Sequence, residues 1–274
     1  MTTTRSTRAP IVAMLVILTA ALFARSFLRV RLQQHGIDAD FAKDLSYLVV
    51  PVILGILMFP ILSDNKTFLL GLFRRKHLTL RLIITAVAIG VLMRIAWWCQ
   101  LVARISFGLG TDPGTQTISG PSFSFGCPPL PVITLGFVVM ALLIPVTEEI
   151  FHRGLIQSSM SRRGPVIAVT TSAILFTIFH PPASYLFVFT WGIVFGVQFW
   201  SSQILWPSLI SHATYNGLLQ LDWRCVTGTW NPTMPGLTSG KSGIIAITGF
   251  AFAILMVTWL LTRENVGVHE APRH

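Results

Sequence analysis

Long apolar stretches, separated by short polar or glycine- and proline-rich segments, run along almost the whole chain. Each stretch is continuous and lacks the strict alternation of a membrane β-strand, which favours helices. A helix of about 20 apolar residues crosses the hydrocarbon core of a bilayer. The pattern predicts eight spans, at residues 11–24, 45–62, 82–102, from 132 into an acidic pair at 148 and 149, and at 166–180, 186–200, 205–221 and 244–261.

The composition agrees with this pattern. Of the 274 residues, 53% are hydrophobic and only 11% are charged, whereas soluble domains carry about 25% charged residues. We therefore expect an all-α, polytopic membrane protein, a bundle of about eight transmembrane helices. No shift in composition marks a second domain, so residues 1–274 are predicted to form a single integral membrane domain.

The first two spans have features that bear on helix kinks and on cleavage of the N-terminus. Pro51 and Pro60 predict kinks in the second span. Residues 11–24 also resemble the apolar part of a signal peptide. The poor cleavage signal at Ala24 and the arginines that follow favour an uncleaved first helix.

The net charge of +10 changes the picture little. The basic residues are scattered among hydrophobic spans, so we expect no nucleic-acid partner. The densest basic loop follows the second span, and basic loops of membrane proteins face the cytoplasm. This predicts an integral membrane protein, in the cytoplasmic membrane if the cell is prokaryotic, with both termini in the cytoplasm. The loop contains Lys66, Arg74, Arg75, Lys76 and Arg81.

The three cysteines do not form a metal-binding pattern. Cys99, Cys127 and Cys225 lack any CxxC spacing, which argues against a cysteine metal site. The last two fall in predicted outer loops. A disulfide between them and two free thiols both remain open.

Charged residues at the end of the fourth span are the first candidates for chemistry. A charge at the centre of a membrane helix costs roughly 2.5–3.5 kcal/mol, so Glu148, Glu149 and Arg153 must face one another or water. Glu149 and Arg153 are four residues apart and can pair on one helix face. Glu148 points about 100° away and stays outside that pair.

Later spans add two histidines and an amide. His180 follows Phe176 by one helical turn, and an aromatic ring there can fix the imidazole rotamer. His212 and Asn216 share a helix face and can supply two hydrogen-bond donors to an oxyanion. With Glu148 as general base and His180 holding the same water, the set predicts hydrolysis of an amide without a covalent intermediate.

These residues also form three motifs: Glu148-Glu149-x-x-x-Arg153, Phe176-x-x-x-His180 and His212-x-x-x-Asn216. Over residues 132–221 they resemble the CAAX prenyl endopeptidase-like family of membrane proteins (CPBP, also called ABI). The resemblance implies an intramembrane glutamate-dependent endopeptidase that cuts near the C-terminus of a membrane-associated or lipidated protein.

The resemblance also implies roles for single residues. Glu148 and His180 would position the attacking water, and His212 with Asn216 would form the oxyanion hole. Glu149 and Arg153 would support them. Other members of the family are linked to bacteriocin immunity or to membrane scaffolding, so a non-enzymatic immunity or scaffold protein is the main alternative.

Two more alternatives start from the same side chains. A transporter could use the intramembrane carboxylate, but neither inverted repeats nor matching broken helices are evident. One glutamate and two histidines also match a zinc site in type. The HExxH spacing is missing and asparagine is an unusual zinc ligand, so we expect no metal and no cofactor.

Some polar residues have simpler interpretations. Glu149 and Arg153 can be a purely structural pair. His152 lies one turn after Glu148 and could join the site, but it is expected to face the lipid headgroups. Arg94 in the third span is expected to extend its charge to the interface. The remaining polar residues of the spans, Gln198, Gln220 and Asp222, are expected at the interface as well.

The predicted limits of the fourth and fifth spans lead to one contradiction. Glu148 falls near the inner end of the fourth span and His180 near the outer end of the fifth, so straight helices would keep them apart. They can meet if residues 132–160 form one long tilted helix, or if the loop at 181–185 dips inward.

Overall fold

The computed structural model describes residues 10–74, 78–107, 130–220 and 240–269, and within these ranges every regular element is helical. The predicted all-α membrane fold is therefore confirmed. In chain order the α-helices are α1 (Ile11–Gln34), α2 (Ala39–Tyr47), α3 (Val49–Leu57), α4 (Phe59–Asp64), α5 (Lys66–Leu72), α6 (Leu80–Ser106), α7 (Leu130–Gly136), α8 (Ile144–Glu149), α9 (Ser158–Met160), α10 (Pro165–Thr177), α11 (Tyr185–Ser202), α12 (Trp206–Gln220) and α13 (Gly240–His269).

Five described helical stretches are long and apolar enough to cross a membrane: Ile11–Gln34, Leu80–Arg104, Leu130–Arg163, Tyr185–Ser202 and Lys241–Arg263. The other three predicted spans are helical too, but they are broken or short. The second is divided among α2, α3 and α4, and the fifth and seventh have 13 and 15 residues. The chain is thus an integral membrane protein.

The stretch Leu130–Arg163, called here the long helix, is one continuous rod of 34 residues. Its α-helical parts α7, α8 and α9 are joined by two π-helical segments, Phe137–Leu143 and Ile150–Gln157. At 1.5 Å per residue the rod is about 50 Å long, more than the roughly 30 Å of a hydrocarbon core. One of the two routes by which Glu148 and His180 could meet is therefore present.

Helix α1 is longer than predicted. It continues ten residues past Ala24, so Arg25, Arg29 and Arg31 belong to the helix rather than to a flanking loop. Arginine is a good helix former, and its aliphatic stem covers apolar surface while the charge reaches a polar site. In the second span, Met58 breaks the helix just before Pro60, which confirms one of the predicted kinks.

In the part of the chain that the structure describes, two apolar cores hold the bundle together. In the first, α1, α3 and α5 pack on the long helix, with Met14, Leu54 and Leu155 among the buried side chains. In the second, α6, α11 and α13 meet around Ile89 and Phe195. Helix α12 connects the two cores, because it packs against both α6 and the first π-helical segment.

Close helix approach explains Gly90. A Cβ atom at this position of α6 would lie 2.6 Å from the backbone oxygen of Ser211 in α12. Real Cβ atoms do not come so close to a backbone oxygen, so a side chain here would push the two helices apart. The glycine therefore sets the distance at which α12 presents its polar residues.

Two expectations about isolated polar residues need correction. Arg94 does not extend to the interface: it is buried, lies over the ring of Trp97, and donates from Nε to the Leu218 carbonyl at 3.3 Å. Gln198 is buried as well and donates to Ser211 Oγ at 2.9 Å. Both donate a hydrogen bond to a neighbouring helix, which lowers the cost of a polar group in a low-dielectric interior. Cys127, Cys225 and Asp222 lie outside the described residues.

Candidate functional site

A helical hairpin brings the first two motifs to the same depth. The long helix ends at Arg163, Gly164 adopts a φ of 92°, and α10 begins at Pro165 and runs back. Positive φ is a conformation that glycine adopts without strain, and proline suits a first helical position. Glu148 precedes Gly164 by 16 residues and His180 follows it by 16. They are therefore opposite each other across the hairpin.

Both residues line one cavity of about 110 Å³. The long helix and the end of α10 form one side of it, and α1 with α2 and α3 form the other. The volume is enough for several water molecules. The lining residues are Leu18, Leu22, Arg25, Tyr47, Val50, Leu54, Ile144, Thr147, Glu148, Phe151, His152, Phe176, Phe179, His180 and Pro181.

Glu149 points away from this cavity into a closed cluster. Its Oε1 lies 3.2 Å from Arg153 Nη1 and 3.0 Å from His212 Nδ1, and the side chains of all three are at most 5% exposed. The predicted pairing of Glu149 with Arg153 is therefore present. The bond to His212 was not anticipated, because the sequence alone does not show which helix faces Glu149.

Arg153 extends this cluster to α11. Its Nη2 donates to the Gly192 carbonyl at 3.2 Å, and one turn later Gln157 Nε2 donates to the Gly196 carbonyl at 2.8 Å. A Cβ atom at Gly192 would lie 3.0 Å from Ala173 in α10, so glycine allows the three helices to come this close. The guanidinium also lies 4.8 Å above the Phe176 ring.

Glu148 is the more accessible of the two carboxylates. Its side chain is 26% exposed, compared with 1% for Glu149. Its Oε2 lies 3.6 Å from His212 Nε2, which is beyond a normal hydrogen bond. His212 therefore stands between the two glutamates, bonded to one and close to the other. As predicted, Glu148 takes no part in the pair with Arg153.

His180 is held by its own helix end. Helix α10 stops at Thr177, three residues short of the predicted limit, and His180 Nδ1 makes a 2.8 Å hydrogen bond with the Phe176 carbonyl. A carbonyl only accepts, so Nδ1 carries the proton and Nε2 of a neutral ring can accept a hydrogen bond from water. The Phe176 ring lies 4.8 Å away, in the predicted contact.

The third motif is close to the site but not in the cavity wall. Among the described residues, neither His212 nor Asn216 is part of the lining. The His212 ring stacks on Phe195 at 4.7 Å. Asn216 Nδ2 donates to the Met140 carbonyl at 2.9 Å, in the first π-helical segment. Both side chains are thus engaged with protein groups here, whereas an oxyanion hole would need donors directed at a substrate.

His152 is a cavity residue that sequence reasoning assigned elsewhere. It is 3% exposed, its ring lies 5.1 Å from Phe176, and it lines the cavity, so the expected headgroup position is wrong. Its Nδ1 is buried without a hydrogen-bond partner. The usable signal was its spacing, since His152 follows Glu148 by four residues and so shares its helix face.

The described residues contain no group of three or more histidine, cysteine, aspartate or glutamate side chains arranged to hold a metal ion. The side chains near Glu148 instead make hydrogen bonds, an ion pair and ring contacts with one another. This arrangement can bind and polarise a water molecule between a carboxylate and an imidazole.

Fold and site together define a class: a polytopic helical membrane protein with a carboxylate–histidine site enclosed among its helices. Comparison with protein families identifies a family within this class. Residues 130–218 match the family described as type II CAAX prenyl endopeptidase, Rce1-like, and this match confirms the resemblance seen in the motifs. Comparisons with curated proteins and with solved structures give no match.

Proposed function

We propose that this protein is an intramembrane endopeptidase that hydrolyses a peptide bond near the C-terminus of a membrane-associated or lipidated protein. The observation that carries the proposal is the different use of two adjacent glutamates. Glu149 is paired with Arg153 and bonded to His212, while Glu148 lines a cavity that His180 also lines. The match to the Rce1-like family supports a peptide substrate at a membrane.

In the proposed reaction, a water molecule lies between Glu148 and Nε2 of His180. Glu148 accepts one proton while the water oxygen bonds to the carbonyl carbon of the substrate, and the carbonyl π electrons move onto its oxygen. The C–N bond then breaks, and the Glu148 carboxyl returns the proton to the leaving amine. Proton transfer by a positioned side chain typically contributes about 10²–10⁴-fold to a rate.

His212 and Asn216 are assigned to the oxyanion. His212 acts here as an imidazolium, because its Nδ1–H is given to Glu149 and only the doubly protonated ring also carries a proton on Nε2. Nε2 lies 3.6 Å from Glu148, so a substrate atom bound at that carboxylate is within its reach after a small movement. The Asn216 amide has a second N–H besides the one given to Met140. Glu149, itself paired with Arg153, holds His212 in place through the hydrogen bond to Nδ1.

The test uses the full-length protein in phosphatidylcholine vesicles and a quenched fluorescent peptide that contains an S-farnesyl cysteine near its C-terminus. Glu148→Gln and His180→Ala are each expected to lower kcat/KM by about 10²–10⁴-fold, with little change in the thermal unfolding midpoint. Asp64→Asn is the matched control, because it removes an exposed carboxylate that does not line the cavity.

Unchanged cleavage in both site variants would disprove the mechanism. Activity is expected to survive metal chelation, and its loss with recovery on adding zinc would favour a metal route. If the wild type cleaves no such peptide and cells carrying Glu148→Gln behave like wild-type cells, the protein acts as a non-enzymatic immunity or scaffold protein.

A further inference from the structure

The far side of the cavity carries a cation that the reaction above does not use. Arg25 of α1 lines the cavity opposite the long helix. Among the described residues that line the cavity, it alone is a lysine or arginine. An arginine within a membrane helix is costly and usually faces a partner or a ligand.

Arg25 has no acidic partner at ion-pair distance among the described residues. Its Cζ lies 3.4 Å from the ring centre of Tyr47, and its Nε is buried without a hydrogen-bond partner. Stacking on an aromatic ring uses the face of the guanidinium and leaves its N–H groups in the plane available. Tyr47 thus orients the group while its donors remain free.

A guanidinium with free donors in its plane is suited to a planar oxyanion. A carboxylate accepts two parallel hydrogen bonds from it, and such charge-assisted pairs are among the strongest polar contacts in proteins. The neighbouring lining residues Leu18, Leu22, Val50 and Leu54 are aliphatic. The ligand that fits both features is a carboxylate at the end of an apolar peptide segment.

We propose that Arg25 binds the free C-terminal carboxylate of the peptide, with Tyr47 holding the guanidinium in position. The inference rests on the proposed function and deepens it. A terminal carboxylate bound at Arg25 would place a peptide bond a short distance upstream beside Glu148. The distance from the C-terminus of the substrate would then determine which peptide bond is cleaved. Arg25 is then a specificity-determining residue.

The decisive experiment compares two forms of the farnesylated peptide, one ending in a free carboxylate and one in a carboxamide. Vesicles contain only phosphatidylcholine, so that no anionic lipid can occupy the site. The wild type is expected to favour the free acid by about 10- to 100-fold in kcat/KM, because the amide loses the charge-assisted pair. Arg25→Gln should lose the preference because it slows cleavage of the acid far more than cleavage of the amide, while Arg25→Lys keeps part of the preference.

Arg29→Gln is the matched control. Arg29 lies one turn further along α1, has the same charge, and does not line the cavity. It should keep the full preference for the acid. A merely structural Arg25 would instead make Arg25→Gln lower the rates for acid and amide equally, and that result would overturn the proposal. A wild type that cleaves both forms equally well would overturn it too.

A binding measurement separates this inference from the catalytic one. A short apolar peptide with a fluorescent label at its amino end is titrated against the protein in the same vesicles. Binding of the acid but not the amide, abolished by Arg25→Gln, supports the carboxylate site even if no cleavage occurs. Binding of neither form by the wild type contradicts it. A second set of vesicles also contains phosphatidic acid, and Arg25-dependent binding of this lipid without discrimination between the two peptides would assign the site to a lipid headgroup instead.

Discussion

Glu148 and Glu149 are neighbours in the chain, yet they lie in two different environments. Glu149 is 1% exposed and contacts Arg153 and His212, whereas Glu148 is 26% exposed and faces a cavity. In a low-dielectric interior a charge must be paired or reach water, and these carboxylates use one solution each. The comparison teaches that one helix turn can separate a group that maintains structure from a group that is available for chemistry.

The largest expected effect comes from breaking the closed cluster. Arg153→Met removes the cation and leaves Glu149 buried without its countercharge, which should reduce the free energy of unfolding by about 3–5 kcal/mol. Equilibrium unfolding in detergent micelles measures this change. Glu148→Gln should differ by only a few tenths of a kcal/mol on the same scale, since partly exposed sites tolerate substitution.

The double variant Glu149→Gln with Arg153→Met sharpens this prediction. It removes both charges together, so it should be more stable than Arg153→Met alone. If the double variant is no more stable than the single one, the ion pair is not the reason for the loss. The two regions would then differ only in packing.

A smaller effect is expected from removing the residue that links the two regions. His212→Phe keeps a ring to stack on Phe195 but deletes the hydrogen bond to Glu149. Loss of a hydrogen bond to a charged group should lower the free energy of unfolding by about 1.5–3 kcal/mol. Thermal unfolding in micelles measures it, with His35→Phe, an exposed position directly after α1, as the control. An unchanged midpoint would mean that Glu149 does not depend on the imidazole.

The smallest effect, and one of opposite sign, is expected at His152. Its ring already packs between Phe151 and Phe176, and its Nδ1 is buried without a partner. His152→Phe keeps the aromatic packing and removes the unpaired nitrogen, so stability should stay level or rise by up to about 1 kcal/mol. A clear loss in the unfolding free energy would show that the imidazole is bonded to water or to a proton donor in the cavity.

Much of the architecture can be read from the sequence. The eight apolar stretches correspond to helical regions in the structure, and five have the length and hydropathy of membrane spans. The i,i+4 spacing predicted the pair of Glu149 with Arg153. These features are local: hydrophobic length and helical periodicity depend on a few consecutive residues, so they need no knowledge of neighbouring helices.

The position of the turn at Gly164 explains why the predicted span limits wrongly kept Glu148 and His180 apart. The contradiction between Glu148 and His180 arose because the fourth span was ended at the acidic pair, where hydropathy falls. The helix in fact continues to Arg163, since Glu149 and Arg153 neutralise each other and can stay in the rod. Counting from Gly164 rather than from the apolar limits places both residues opposite each other.

By itself, the sequence determined the class of protein, the motif residues and which glutamate pairs with Arg153. Only the tertiary structure decided what each motif faces. It directs His212 to the glutamates and Asn216 to Met140, brings His152 into the cavity, and adds Arg25 from the first helix. The physical reason is that helix rotation and helix contact depend on packing between distant segments, and the apolar faces of a membrane helix do not reveal which neighbour each will meet.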